Sequence, residues 1–179
     1  MRQEHRAGEK AFVDFCDGLN LTDPRTGEIT KTHLFVGALG ASSFTFAYAV
    51  PSQSVPHFVE CHQRMYEAFV GVPAITVPDN LKSGVKRANR YEPEINATYA
   101  EMAEHYGTVI IPARVRKPRD KGKVEAAVLV AQRWILAALR NRVFTSVQDM
   151  NDAIAELLER MNAKVMRHRN QSRRAVGQH

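Results

Sequence analysis

Three segments rich in Val, Phe, Thr and Tyr precede any helical periodicity, and they decide what this chain can become. "KAFVDFCDGLNL" (10–21), "THLFVGALG" (32–40) and "FTFAYAV" (44–50) each read as a β-strand. Asp-Pro and Thr-Gly in "TDPRTGE" punctuate one connection, and "ASS" joins the second pair. Connections this short favour an antiparallel meander. The period then changes. "VPHFVECHQRMYEAFVGV" places Phe58, Cys61, Met65, Ala68 and Phe69 at helical spacing, with Gly71 expected to close the helix. "PAITVPDN" reads as a short strand, "NATYAEMAEHYG" as a helix capped by Asn96 and stopped by Gly107, and "TVIIPAR" as a fifth strand. A long helix from about Gly122 to Arg142 and a final one over "TSVQDMNDAIAELLERMNAKVMRHR" complete the order β-β-β-α-β-α-β-α-α. Thr145 or Ser146 caps the last helix, with Gln148 or Asp149 placed for a capping box. Its stripe of Met150, Ala153, Ile154, Leu157, Leu158 and Met161 suits packing onto the domain, or a subunit contact as the alternative.

A chain of 179 residues with 44% hydrophobic and 25% charged content fits a single domain, 1–179, in which 145–179 form a C-terminal helix and basic tail. The formal charge of +6 points to an anionic partner, with nucleic acid ahead of a membrane surface. That charge is concentrated. Residues 1–111 are close to balanced, whereas 112–123 and the run from Lys164 to Arg174 are strongly basic. For the tail, solvated charge is the simpler reading. Cys16 and Cys61 occur without a CxxC pair and read as free thiols of a reducing compartment. The apolar stretch "LFVGALGASSFTFAYAV" is interrupted by glycines and serines and is short for a membrane span, and "MRQEHRAGEK" has no signal-like apolar run. A soluble, cytoplasmic protein with no membrane partner is expected.

Three acids stand where an acid is costly unless used. Asp14 lies inside the first strand between Val13 and Phe15, Asp79 ends the fourth strand, and Glu125 opens the long helix. Each has a simpler reading alone: a core aspartate held by donors, a turn residue, a charge favourable near a helix N-terminus. In mixed sheets, however, sites collect at the ends of adjacent strands and at helix N-termini. If strands one and four are neighbours and the long helix packs across them, the three carboxylates converge. Such a cluster repels itself unless divalent cations neutralise it, and hard oxygen ligands suit magnesium or manganese. Asp17 is the rival to Asp14, but it lies three residues on and strand alternation sends it to the opposite face. Of the other candidates, His62 and His105 read as surface or half-buried helix residues, Lys82 and Lys86 as loop lysines that could touch DNA, and Trp134 as core.

The strand order, "VDF", "VPDN" and "KGKVE" resemble the retroviral-integrase-like DDE transposases of the ribonuclease-H-like superfamily. "GEKAFVDF", "GVPAITVPDNLKSGV", "AEHYGTVIIPARVRKPRDKGKVEAAV" and "LLERMNAKVMRHRNQSRR" are similar to IstA-type transposases of bacterial insertion sequences, over nearly the whole chain. The resemblance implies an α/β fold with a mixed five-stranded sheet, three antiparallel strands plus two parallel, flanked by helices. It implies that Asp14, Asp79 and Glu125 form the catalytic triad and bind two Mg2+ ions, with Mn2+ able to substitute. The implied activity is metal-dependent cleavage at element ends and strand transfer during transposition; a nuclease that cuts without joining, or a DNA-binding remnant without chemistry, are the alternatives. Arg114, Arg116, Lys117, Arg119, Lys121 and Lys123 would contact phosphates beside Glu125. The family further implies element-end and target DNA as partners, a helper ATPase of the IstB type and a homo-oligomer on DNA. It also leads one to expect an N-terminal helix-turn-helix region that this sequence does not match, hence an excised core or truncated copy.

Overall fold

A computed structural model describes residues 9–69, 71–78, 97–111 and 123–176, the side chains of 123–125 and 165–176 excepted. Along the chain run β1 (Lys10–Thr22), β2 (Ile29–Leu39), β3 (Thr45–Val50), α1 (Val55–Ala68), β4 (Ile75–Pro78), α2 (97–106), β5 (Val109–Ile110), α3 (Lys123–Leu139) and α4 (Val147–Val176). This is the order that the hydrophobic periods predict. The strands form one five-stranded sheet in the order β3-β2-β1-β4-β5. β1, β2 and β3 pair antiparallel, as their short connections require, while β4 joins β1 and β5 joins β4 in parallel. Each parallel step is made by a helical crossover, α1 and then α2, because parallel neighbours cannot be joined by a tight turn.

Alternation along β1 divides the core into two layers. Phe12 and Cys16 face α3 and α4, packing with Val36, Val77, Val128, Ala131, Ile135, Met150, Ile154 and Leu158. Ala11, Val13 and Phe15 face the other way, onto Phe58, Cys61, Met65 and Tyr66 of α1 and Tyr99 and Met102 of α2. A β-bulge then breaks the β1–β2 register between Asp17 and Asn20. Gly18 sits inside it, and a Cβ there would meet Thr32 Oγ1 at 2.7 Å and the Thr32 carbonyl oxygen at 3.0 Å, so only glycine permits the close approach. The bulge reverses the phase, which is why Leu19 and Leu21 join Phe12 on the α3/α4 side.

Boundaries depart from the sequence expectation where local signals compete with pairing. β2 starts at Ile29 because the hairpin continues past the bulge, with Leu21 opposite Thr30 and Thr22 opposite Ile29. β5 is reduced to Val109–Ile110, paired with Ile75 and Thr76 of β4. α1 ends at Ala68 with Phe69 still right-handed (φ −73°), so Gly71 does not close it, and Ala68 is exposed rather than part of the apolar stripe. Gly107 does stop α2, at φ 75°. Ser146 caps α4, accepting from the Asp149 N–H at 3.1 Å. The expected stripe of α4 is buried from Met150 to Leu158, with Met161 partly so.

An unpaired sheet edge invites association with another chain, and α4 closes the β3 edge with two asparagines. Asn162 accepts from the Thr45 N–H at 2.9 Å and donates to the Thr45 carbonyl at 2.8 Å. Asn151 repeats the pattern on Ala49, at 2.7 and 2.9 Å. Each amide supplies what a neighbouring strand would. Replacing Asn151 with Ala is therefore expected to lower the unfolding free energy by about 1–2 kcal/mol, since the strand's N–H and C=O lose their partner. Replacing both is expected to double the loss and to produce concentration-dependent association. Urea denaturation and analytical ultracentrifugation measure the two effects; a double variant as stable as the parent would show that the amides contribute nothing.

Candidate active site

Asp14 is half-buried on β1, opposite Val36, on the sheet face covered by α3 and α4. Its neighbour Val13 is paired with Pro78, the last residue of β4. The two strands are parallel, so the residues that follow this pair in sequence are Asp14 on one and Asp79 on the other. Asp79 itself lies outside the described residues, as do Lys82, Lys86, Asn96, Arg114, Arg116, Lys117, Arg119 and Lys121. Glu125 stands in the first turn of α3 and Lys123 begins that helix; the side chains of both lie outside the described part. α3 packs on β1 and β2, and its Val128, Ala131, Ile135 and Leu139 are buried in the same layer as Phe12.

Asp17 is exposed and separated from Asp14 by odd parity along β1, as expected. Cys16, between them, is half-buried; burial first, then Asp14 and Asp17, push its thiol up to about 12, so it is a neutral packing group. Cys61 is likewise pushed up to about 12 by burial, and both cysteines are free thiols. Among the described residues no three His, Cys, Asp or Glu side chains gather in a way that could hold a metal ion.

Two expectations are corrected. Trp134 is 40% exposed, on an outward face of α3 with Leu129 (45%) and Val130 (62%). The sheet claims the 128/131/135/139 stripe and leaves the tryptophan outside. His62 is fully buried rather than at the surface or half-buried. Its Nδ1 lies 2.7 Å from the Phe58 carbonyl and its Nε2 2.7 Å from the Tyr99 hydroxyl. A carbonyl only accepts, so Nδ1 carries the hydrogen and Tyr99 donates to Nε2. His105 is exposed, as expected.

A second set of buried polar groups escaped the sequence reading. Tyr66, one turn beyond His62, bonds Thr76 Oγ1 at 2.8 Å, and Thr76 bonds Thr108 Oγ1 at 3.1 Å. These bonds tie α1 to β4 and to the start of β5, on the sheet face away from Asp14. A helix-spaced Tyr after His was the one local signal; Tyr66 and Thr76 are 10 positions apart and Thr76 and Thr108 are 32, beyond the reach of periodicity.

The sheet order and helix placement define a ribonuclease-H-like core of the retroviral integrase type. The catalytic core domain of BIV integrase shares the fold at a TM-score of 0.51 and 17% identity, covering 83% of this chain and 80% of that one. The HTLV-2 integrase catalytic core, solved with magnesium, matches at 0.50 and 12%, covering 83% and 81%. No protein-family model matches the chain. By sequence, the chain is a homologue of bacterial insertion-sequence transposases. It is 46% identical over 178 residues to a Sinorhizobium fredii protein provisionally named a transposase, covering 98% of this chain and 35% of that one. A second relative, provisionally named the transposase of insertion sequence IS1162 of Pseudomonas fluorescens, is 46% identical over 165 residues, covering 92% and 29%. The chain thus spans about a third of the length of these relatives.

Proposed function

We propose that this chain is the catalytic core of an insertion-sequence transposase, cutting DNA at element ends and joining them to target DNA. Asp14, Asp79 and Glu125 are the metal-binding triad of this reading. The observation that carries it is the parallel pairing of Val13 with Pro78, because each residue is followed directly by an acid. Phe12 and Val77 share the face of Asp14. Glu125 precedes Val128 by three positions, the spacing of about one helical turn. Three carboxylates offer the hard oxygen donors that magnesium or manganese prefer, and the magnesium bound to the HTLV-2 integrase core favours the same metal here. Two such ions held by Asp14, Asp79 and Glu125 would supply activation of an attacking oxygen and charge stabilisation for the leaving one.

The residues themselves bind and orient. Arg114, Arg116, Lys117, Arg119, Lys121 and Lys123 bring the phosphate backbone to acids that would otherwise repel it. Water first attacks a phosphodiester and frees a 3′-hydroxyl; that hydroxyl then attacks a target phosphodiester and displaces a target 3′-oxygen. No protein nucleophile takes part. A helper ATPase of the IstB type and an oligomer assembled on element ends are the expected partners of the whole transposase.

The test supplies pre-cleaved element ends, target DNA and Mg2+ or Mn2+ to the purified chain. Joined products are expected. Cleavage without joining would replace strand transfer by simple nuclease action, and binding without either would remove the enzymatic reading.

A further inference from the structure

The basic run near the end of the chain is not a loose tail. α4 continues as one helix from Val147 to Val176, about 45 Å at 1.5 Å per residue. Its two parts differ in charge. From Val147 to Ala163 it holds Asp149, Asp152, Glu156 and Glu159 against Arg160. From Lys164 to Val176 it holds Lys164, Arg167, Arg169, Arg173 and Arg174, with His168 and no acid. Among the described side chains Met161 is the last of the apolar stripe against the sheet, Asn162 makes the last α4 bond to β3, and Lys164 is exposed.

Neither local stability nor apolar docking accounts for this composition. Positive charge in the last turn offsets the helix dipole, which explains Arg173 and Arg174 but not Lys164, Arg167 or Arg169, about one to two and a half turns earlier. Arg160 and Lys164, like Arg169 and Arg173, stand four apart, a like-charge spacing that weakens an isolated helix. A partner helix or a lipid surface needs an apolar stripe. Beyond Lys164 the apolar residues are Val165 and Met166, then Ala175 and Val176, which make none. What remains is a helical segment about 20 Å long whose sequence carries five basic residues and no acid. Its ~10–12 Å diameter matches the ~12 Å major groove of a duplex that carries one phosphate per ~1.7 Å of axis.

We propose that the Lys164–Val176 half of α4 is a second DNA-binding surface, separate from the 114–123 run and engaging duplex phosphates. That DNA is the partner rests on the transposase reading; the surface itself rests on the charge division along α4. The experiment measures binding of the full chain to a 30-base-pair duplex without divalent metal, over a series of salt concentrations. Parent protein is compared with R167Q/R169Q/R173Q/R174Q, in which glutamine keeps helix propensity. Expected are at least a tenfold rise in Kd at about 0.1 M salt and a fall of ~2 or more in the slope of log K against log salt, since each phosphate contact contributes ~0.9. The matching Arg→Lys set, which keeps charge and helix, should retain the parental slope. An unchanged Kd and slope in the glutamine variant would overturn the proposal, whatever that variant does to capture of polyglutamate as an acidic-protein mimic. So would an Arg→Lys set that loses binding as the glutamine set does. Asp14→Asn, expected to stop cleavage, should leave this binding untouched, so failure of the catalytic reading and failure of this surface give different results.

Discussion

Replacing Asp14 with asparagine is expected to slow DNA cleavage and joining about a thousandfold, roughly 4 kcal/mol of barrier, by removing charge from a metal ligand. The substitution keeps the size of the side chain and one of its oxygens. The backbone at this position is held by the β1–β2 ladder, where Asp14 opposes Val36. The fold should therefore survive, and DNA binding, which depends on the basic residues, should persist. Asp17→Asn is the matched control, since Asp17 is exposed and of opposite strand parity, and its rate should stay within a factor of two or so of the parent, as for a surface change. Single-turnover nicking of a labelled duplex, with the thermal midpoint measured in parallel, checks both. Parental rates in Asp14→Asn would remove Asp14 from the site; loss of activity together with loss of folding would assign it a structural role.

That prediction draws on a feature legible in the sequence: an acid between Val13 and Phe15 in a strand segment that is otherwise apolar from Ala11 to Cys16. The order of elements along the chain was legible because periods of two and of 3.6 replace one another at clear turn signals. α3 was legible as a helix but not in its orientation. Residues 124–138 are apolar on nearly every side, so periodicity could not choose which face meets the sheet, and Trp134 was assigned to the interior. Only packing against β1 and β2 selects Val128, Ala131 and Ile135. Asn151 and Asn162 carried no signal either, because their role is set by backbone groups of β3 more than one hundred positions away.

His62 shows the same limit, and its environment has a measurable consequence. Its ring is enclosed by Phe35, Phe58, Tyr66 and Tyr99, the ring contacts among the described residues, at centroid separations of 5.0, 4.5, 6.3 and 4.8 Å. Burial drives its pKa down to about 4, against a smaller upward pull from the Phe58 carbonyl. The unfolded chain takes up a proton near the ordinary value of 6.5, and the folded chain does so only near 4. Between these values the unfolded state holds more protons, so stability rises with pH. The contribution is complete above 6.5 and falls away as the pH drops towards 4, a loss of about 3 kcal/mol on this displacement. Denaturant titrations at pH 7, 5.5 and 4.5 should show the parent losing stability faster than His62→Gln, which keeps hydrogen-bonding groups but cannot take up a proton. The variant should begin less stable and follow a flatter course, because the carboxylates that also titrate in this range are common to both proteins and cancel in the comparison. Parallel losses in the two would mean that the imidazole is reached by water or by a counter-charge, and that the contact with Tyr99 does not seal α2 against α1.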